Sequence, residues 1–198
     1  KRMIRLLSKT PIRGTRVLLR VDFNVPIQGR RVIDDFRIRQ TLPTIRRLLA
    51  GGNSIVFLAH HSNHRQTLAP VASHLSRLIR RPIVFIRNPF APKAAERVGE
   101  QRLFFLENLR FWPGEERSAL SFARELAAWG AVFVNDAFGV AHRRAASVSV
   151  LPRLLPSRLG LLFEKEIRGF DRVLVQPKRP LVAIFGGAKI QTKIPILR

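Results

Sequence analysis

The chain has 198 residues, of which 46% are hydrophobic, so it is long enough to bury a sizeable core and is not expected to be disordered. It contains no Cys, which excludes a disulfide framework and thiolate chemistry. No apolar run is long enough to span a bilayer, and the basic segment 1–10 lacks the apolar core and cleavage site of a signal peptide. We therefore expect a cytoplasmic protein without membrane association, although an organellar protein already trimmed of its leader stays open.

The formal net charge is +23, because 36 residues are basic and only 13 are acidic. Seven of the basic residues are Lys and 29 are Arg, and they are spread along the whole chain. The planar fork of arginine suits phosphate groups, but a small anionic ligand needs only a handful of such residues. Three explanations stay open: a compositional bias or an engineered surface, a polyanion partner such as RNA, or the recruitment of acidic partners.

Short apolar runs alternate with amphipathic stretches along the chain. Near-continuous apolar strands separated by helices indicate an α/β fold, with a parallel, Rossmann-like sheet covered by helices on both faces in three α/β/α layers. In chain order, the pattern predicts a strand at 16–21, a helix at 37–50, a strand at 54–59, a helix at 68–79, strands at 82–86 and 103–106, a helix at 120–129, and strands at 131–135 and 181–185.

Polar and basic side chains follow most of these predicted strands directly. Because the carboxyl ends of parallel strands meet at one edge of a sheet, where ligands bind in such folds, we expect these side chains to gather there and to form an anion site. The residues that follow the strands are Asp22, Asn24, His60, His61, Glu107, Asn108, Arg110, Asp136, His142, Arg143, Gly186, Gly187 and Lys189.

Five motifs occur in order between residue 16 and the end of the chain. They are 20–26 (RVDFNVP) with 34–39 (DDFRIR), 106–111 (LENLRF) with 113–116 (PGEE), 134–139 (VNDAFG) with 141–143 (AHR), 160–166 (GLLFEKE), and 186–189 (GGAK) with Lys193 four residues on. A motif such as GGAK is weak by itself, but five in register leave little room for chance. Together they resemble the N-terminal, 3-phosphoglycerate-binding half of phosphoglycerate kinase, with the beginning of its nucleotide domain.

The resemblance implies a two-domain kinase that transfers a phosphoryl group between 1,3-bisphosphoglycerate and ADP, with Mg²⁺ and ATP or ADP bound by the C-terminal domain of the complete enzyme. It implies a phosphoglycerate-binding domain over residues 1–163, a connector helix and linker over 164–180, and the first strand and loop of a nucleotide-binding domain over 181–198. We expect this chain alone to hold no cofactor, to bind phosphoglycerate weakly and not to turn over ATP efficiently.

The same resemblance suggests roles for individual residues. Asp22 and Asn24 are similar to partners of the substrate's hydroxyl and carboxyl end, and Arg37 is similar to the catalytic arginine that steadies charge on the moving phosphoryl group. Arg110 and Arg143 resemble ligands of the phosphate that is not transferred. These residue types suit a reaction that needs positioning and charge neutralisation rather than covalent work from the protein.

The last motif is similar to a nucleotide-binding segment. By position, Gly186, Gly187, Lys189 and Lys193 resemble residues that hold the nucleotide phosphates, and Lys193 also resembles a catalytic lysine near the transferred phosphoryl group. Glu115 and Glu116, by contrast, are interpreted as a solvated loop.

The loop at 60–65 reads HHSNHR, whereas the family usually has SHLGRP. In simple register His61 matches a histidine of the basic patch, and the loop's arginine position falls on His64 with Arg65 one place away, which leaves one phosphate contact open. The three histidines have the spacing of a metal cluster, but no nearby Cys or acid completes it, so no metal is expected. At 142–145 the chain reads HRRA rather than HRAH, so the second histidine of that stretch is missing.

Two hypotheses of function follow. The first is the substrate-binding half of an ATP:3-phosphoglycerate phosphotransferase, which the intact substrate motifs favour. The alternative is a recruited or inactive kinase half that binds RNA in a ribonucleoprotein, which the net charge of +23 and the missing half favour.

Overall fold

The fold is built from short apolar strands that alternate with helices. The computed structural model describes residues 5–91, 94–96, 102–175, 177, 179–180 and 182. Its first half contains β1 (Arg16–Arg20), β2 (Ile27–Gln28), β3 (Arg31–Val32), α1 (Phe36–Ala50), β4 (Ser54–Leu58), α2 (Ala69–Ile79), β5 (Val84–Ile86) and β6 (Leu103–Leu106). Its second half contains α3 (Pro113–Glu116), α4 (Leu120–Ala127), β7 (Val132–Asn135), α5 (Leu151–Leu154), β8 (Ser157–Leu159) and α6 (Leu161–Leu174). None of these helices has the length and apolarity needed to span a bilayer.

Six strands form one parallel sheet in the order β5-β6-β4-β1-β7-β8, and β2 and β3 form a separate antiparallel pair. Along β1, Val17 and Leu19 belong to one buried apolar cluster and Leu18 belongs to another. Successive side chains of a strand point to opposite faces, so the two clusters cover the two faces of the sheet. This arrangement confirms the predicted three-layer α/β/α fold.

Helix α1 forms because its apolar residues recur at helical spacing and bury one face against the sheet. Ile38, Ile45 and Leu48 are almost fully buried along that face. At its end, the Asn53 amide donates hydrogen bonds to the carbonyl oxygens of Leu48 and Ile12, at 2.8 and 2.9 Å. These bonds satisfy a carbonyl that the helix leaves without an intrahelical partner and direct the chain into β4.

Most predicted elements are present with ends shifted by one or two residues. The differences lie at short elements: the β2–β3 pair, α3, α5 and the edge strand β8 are not predicted from the sequence, and α3 contains Glu115 and Glu116, which were interpreted as a loop. β8 has three half-buried residues and no apolar alternation, so its pairing with β7 depends on its position rather than on its pattern. With the exception of Val182, the strand predicted at 181–185 lies outside the described residues.

The chain divides into a compact unit over Lys1–Glu166 and a second unit over Ile167–Arg198. The first unit contains the whole six-stranded sheet. The described part of the second unit includes the last residues of α6. The domain boundaries expected from the family resemblance stay a prediction.

Candidate anion-binding site

The carboxyl ends of the central strands bring polar side chains to one edge of the sheet, as the sequence predicts. A cavity of about 230 Å³ opens at this edge, and carboxylate groups as well as guanidinium groups line it. Arg110 and Arg143, which were both predicted as phosphate ligands, lie on its wall. The lining residues are Arg20, His60, Arg110, Glu115, Glu116, Arg143, Arg144, Ala145 and Val148.

Arg20 is a buried part of this lining that the sequence reasoning missed. Its side chain is 1% exposed, and its Nε donates to Oγ of Ser147 over 2.9 Å while Nη1 donates to the carbonyl oxygen of Val21 over 2.5 Å. Burial lowers the pKa of Arg20 and the nearby Glu115 carboxylate raises it, but a guanidinium stays protonated in proteins. The available signal was an arginine at the end of a short strand whose preceding three residues are apolar, because such a charge is buried only when it is fully hydrogen-bonded.

Glu115 fixes this network from the other side, and it is not the solvated residue expected from the sequence. Its side chain is buried, and its two carboxylate oxygens accept hydrogen bonds from the backbone N and from Oγ of Ser147, at 3.0 and 2.6 Å. Ser147 therefore links the carboxylate to the guanidinium of Arg20. Since the carboxylate also compensates the buried positive charge, the guanidinium of Arg20 is held in a connected polar network without a ligand.

His60 lies beside Arg20 and is uncharged. Its ring is 3% exposed, and burial, together with the positive charges of Arg20, Arg110 and Arg143, lowers its pKa to about 2. Nη2 of Arg20 lies 2.8 Å from Nδ1 of His60, and because an arginine can only donate, Nδ1 must accept. The single proton of the neutral ring therefore sits on Nε2, which makes no hydrogen bond to a described residue.

His61, the histidine predicted for the basic patch, does not line the cavity. Its Nε2 lies 3.2 Å from the carbonyl oxygen of Val25, and its Nδ1 accepts from the backbone N of Asn63 over 3.1 Å. Neighbouring residues in extended chain point in opposite directions, so only one of two adjacent histidines can face the cavity. The structure places His60 there.

A second polar cluster follows β1 at the same edge. Nη1 of Arg37 donates to Oδ2 of Asp22 over 2.9 Å, while Oδ1 of Asp22 is buried and has no partner among the described residues. Asn24 accepts a hydrogen bond from the backbone N of Ser62 over 3.0 Å through its Oδ1. A Cβ on Gly139 would lie 2.9 Å from Oδ2 of Asp22, so the glycine lets the backbone approach this carboxylate without displacing it. Asp22 follows the cavity residue Arg20 by two positions at the end of β1, which places the cluster beside the cavity.

The family model described as phosphoglycerate kinase matches residues 7–198 of this chain. The chain belongs to the phosphoglycerate kinase family. It is 43% identical to the phosphoglycerate kinase of Thermomicrobium roseum over 203 aligned positions, covering 98% of this chain and 52% of that protein. A second relative, from Caulobacter sp. strain K31, is 42% identical, with 98% of this chain and 51% of that protein covered.

Solved structures agree with this assignment. The phosphoglycerate kinase of Pyrococcus horikoshii OT3 superposes with a TM-score of 0.89 at 30% identity, covering 98% of this chain and 51% of that one. The enzyme of Coxiella burnetii gives a TM-score of 0.84, also at 30% identity and with the same coverage. The chain therefore spans about half the length of the phosphoglycerate kinases that it matches.

The loop that departs from the phosphoglycerate kinase pattern is held by buried polar groups. Oδ1 of Asn108 accepts from the backbone N of His61 over 3.0 Å, and its Nδ2 donates to the carbonyl oxygens of Asn63 and Gln66, at 3.2 and 3.0 Å. The loop is thus fixed through its backbone. Arg65, which was considered as a replacement for the family's loop arginine, does not line the cavity.

The remaining predictions concern metal and nucleotide binding. Within the described residues, no group of three or more His, Cys, Asp or Glu side chains is arranged to hold a metal ion. Gly186, Gly187, Lys189 and Lys193, which were predicted to bind the nucleotide, lie outside the described residues. Their assignment stays a prediction from the family motif.

Proposed function

We propose that this chain is the substrate-binding half of a phosphoglycerate kinase and that its cavity takes the non-transferred phosphate of 3-phosphoglycerate or 1,3-bisphosphoglycerate. The observation that carries the proposal is the meeting of Arg20, Arg110 and Arg143 around one cavity. Guanidinium groups bind phosphate oxygens in pairs, which gives both affinity and orientation. The full activity, ATP + 3-phosphoglycerate to ADP + 1,3-bisphosphoglycerate, belongs to the complete enzyme.

The Asp22–Arg37 pair suits the other end of the substrate. The carboxylate of Asp22 has an unpartnered, buried oxygen that a substrate hydroxyl can satisfy by donating a hydrogen bond. The Arg37 side chain is half exposed, so its guanidinium is able to turn from Asp22 towards a substrate group. In phosphoryl transfer such an arginine neutralises charge on the equatorial oxygens, which is the main contribution that a protein makes to this reaction.

Within the cavity we assign the predicted histidine role to His60 instead of His61. The neutral His60 ring offers Nε2–H as a donor beside Arg110 and Arg143, whereas His61 is engaged with backbone groups. An uncharged donor adds a hydrogen bond to a phosphate oxygen without adding a further buried charge.

The nucleotide side of the reaction is proposed from the family alone. In the complete enzyme, ATP or ADP with Mg²⁺ supplies or accepts the phosphoryl group, and Lys189 and Lys193 are the residues of this chain that resemble its ligands. The described residues hold no cluster for Mg²⁺, so we derive no step through it. A cytoplasmic location likewise stays a prediction, and the relatives compared give no support to the alternative of an RNA-binding kinase half.

The proposal is tested by titrating 3-phosphoglycerate into the 198-residue chain and following binding by NMR and calorimetry. Arg37→Ala combined with Arg110→Ala is expected to abolish binding. Arg124→Ala, which removes one exposed guanidinium from α4 that does not line the cavity, serves as the control for a general loss of charge. If the double variant binds as well as the parent, the site assignment is wrong, and if Arg124→Ala weakens binding equally, the interaction is non-specific.

A further inference from the structure

The ends of α1 and α2 form a groove at the edge of the sheet opposite to the anion-binding cavity. Each of these helices leads into the start of the next strand, α1 into β4 and α2 into β5, so both helix ends lie where the strands begin. The groove has a volume of about 620 Å³ and shares no lining residue with the cavity. Half-buried apolar side chains form its floor, and exposed guanidinium groups form its rim. The floor residues are Leu49, Leu78 and Ile79, and the rim residues are Arg46, Arg80 and Arg81.

No acidic side chain balances the charge of the rim. None of residues 36–95, which contain α1, β4, α2 and β5, is Asp or Glu. Within the described part of the chain, no ion pair joins a rim arginine to a carboxylate. Further guanidinium groups line an adjoining depression, and they belong to Arg13 and Arg47. The positive potential of this edge is therefore available to an anionic group from outside.

Arg80 occupies a backbone position that favours glycine. It ends α2 with φ 53° and ψ 42°, in the left-handed region. The turn is fixed by hydrogen bonds from the backbone N of Arg80 to the carbonyl oxygen of Arg77 over 3.3 Å, and from the backbone N of Arg81 to that of Ser76 over 3.2 Å. Glycine adopts such a turn at lower cost. An arginine in this strained position, on the rim of a groove, indicates that its guanidinium is used.

We propose that this groove docks an acidic amphipathic segment of a partner protein. The aliphatic side chains of the segment pack on the apolar floor, and its Asp or Glu side chains pair with the arginines of the rim, as in the recognition of a helix by a groove. Among the explanations of the net charge, this proposal selects the recruitment of acidic partners. It concerns a surface other than the cavity and does not depend on the proposed function.

The chemistry of the groove favours such a segment over other polyanions. A nucleic acid gains affinity from aromatic side chains on which its bases stack, and none of the described lining residues is aromatic. An apolar floor also offers nothing to phosphate groups. A membrane surface is bound by apolar side chains that project into it, whereas here the apolar side chains lie at the bottom of a depression.

A purely structural explanation of these arginines makes a different prediction. Basic side chains near the C-terminal end of a helix stabilise it through the helix dipole, and both α1 and α2 end here. In that case, removing the charges lowers the stability of the chain and leaves its binding of acidic segments unchanged. Stability and binding must therefore be measured on the same variants.

The probe is a synthetic helix-forming peptide of about 18 residues, with Leu at every third or fourth position, Glu beside this stripe and Ala elsewhere. A peptide with Ser in place of Leu and an oligouridylate of equal length are the comparison ligands. Binding to the 198-residue chain is followed by fluorescence anisotropy, and thermal unfolding reports stability. The groove variant combines Arg46→Gln with Arg81→Gln. Its control combines Arg124→Gln with Arg153→Gln, which makes the same change of charge at exposed residues of α4 and α5 outside the groove.

We expect the Leu–Glu peptide to bind the parent more tightly than the Ser peptide or the oligouridylate does. The groove variant should weaken this binding about 5- to 10-fold, which is within the range that two partly exposed ion pairs provide, and the control less than about 2-fold. Arg80→Gly should weaken it about 3-fold without lowering the midpoint of thermal unfolding, because glycine suits the left-handed turn.

Several outcomes would overturn the inference. They are no binding of the Leu–Glu peptide, equally tight binding of the Ser peptide, and an equal loss in the groove variant and its control. Tighter binding of the oligouridylate would assign the surface to RNA, and a groove variant that is less stable but binds like the parent would assign the arginines to the helix ends. The affinity for 3-phosphoglycerate, titrated into the same variants, should not change, so the proposed function stands or fails separately.

Discussion

Arg20 donates a hydrogen bond from Nη2 to Nδ1 of His60 over 2.8 Å, and both side chains are buried beside the cavity. A charged guanidinium inside a strand is thereby satisfied by a neutral ring, by Ser147 and by its own backbone neighbour, Val21. Because the ring must stay uncharged to accept this bond, the pair couples the protonation state of His60 to the stability of the fold.

The pH dependence of stability should report the buried His60 ring. Its pKa falls from 6.5 to about 2 on folding, so the unfolded chain takes up a proton below pH 6.5 that the folded chain refuses. Stability is complete above that pH and is lost as the pH falls, by about 2 kcal/mol at pH 5. In His60→Asn, Oδ1 of the amide replaces Nδ1 as the acceptor and does not titrate. The free energy of unfolding of this variant, measured in urea at pH 5 and above pH 6.5, should not show this loss.

His142→Asn, a change of an exposed histidine, is the control for this measurement. The interpretation fails if His60→Asn and the parent lose the same free energy of unfolding on acidification.

Asp136 should contribute with the opposite sign. Its Oδ1 accepts from the backbone N of Leu162 and Phe163 at the start of α6, at 2.9 and 3.2 Å, and burial raises its pKa from 3.8 to about 6. The folded state then binds the proton more readily than the unfolded state, so this contribution falls as the pH rises from about 4 to 6, by up to about 3 kcal/mol.

The test is Asp136→Asn, because the amide oxygen keeps the hydrogen bonds to α6 but does not titrate. The free energy of unfolding of this variant should lose less than that of the parent between pH 4.5 and pH 7. If the free energy of unfolding changes by the same amount between these two pH values in the variant and in the parent, the pKa of Asp136 is not raised in the folded chain.

The adjacent residues Glu115 and Glu116 should differ sharply in their effect on stability. Glu115→Gln removes an acceptor for Ser147 and a negative charge that compensates the buried Arg20, and we expect a cost of about 2–3 kcal/mol. Glu116→Gln removes only half-exposed charge contacts with Arg110 and His64 and should cost at most about 0.5 kcal/mol. Chemical unfolding of the two variants compares them directly, and equal costs would contradict the network described here.

Gly160 should not tolerate a side chain, whereas Gly169 in the same segment should tolerate one. A Cβ at Gly160 would collide with Oδ1 of Asp136, the atom that caps α6, and we expect Gly160→Ala to cost about 2–3 kcal/mol. A Cβ at Gly169 meets no atom within 4 Å, so Gly169→Ala in the helix should stabilise it by up to about 1 kcal/mol. Thermal unfolding of both variants measures the difference, and a tolerated alanine at Gly160 would sink the explanation.

The sequence by itself determined the fold class and the edge at which the site forms. Apolar runs such as Ser54–Leu58 are buried on both faces only in a covered parallel sheet, and the carboxyl ends of such strands must meet. The sequence therefore predicts that residues following the strands, such as Asp22 and Arg110, lie at one edge. Their chemistry, arginines with an acid and amides, already indicated an anionic substrate.

Only the tertiary structure decided which of these side chains face the cavity. His60 and His61 are the same residue type at consecutive positions, so no pattern distinguishes them, and the loop's hydrogen bonds to Asn108 set the direction of each. Likewise, Arg20 and Glu115 are separated by almost half of the chain, and their burial depends on Ser147 meeting both. A buried charge is stable only with all its partners in place, and those partners are brought together by packing between distant segments rather than by local sequence.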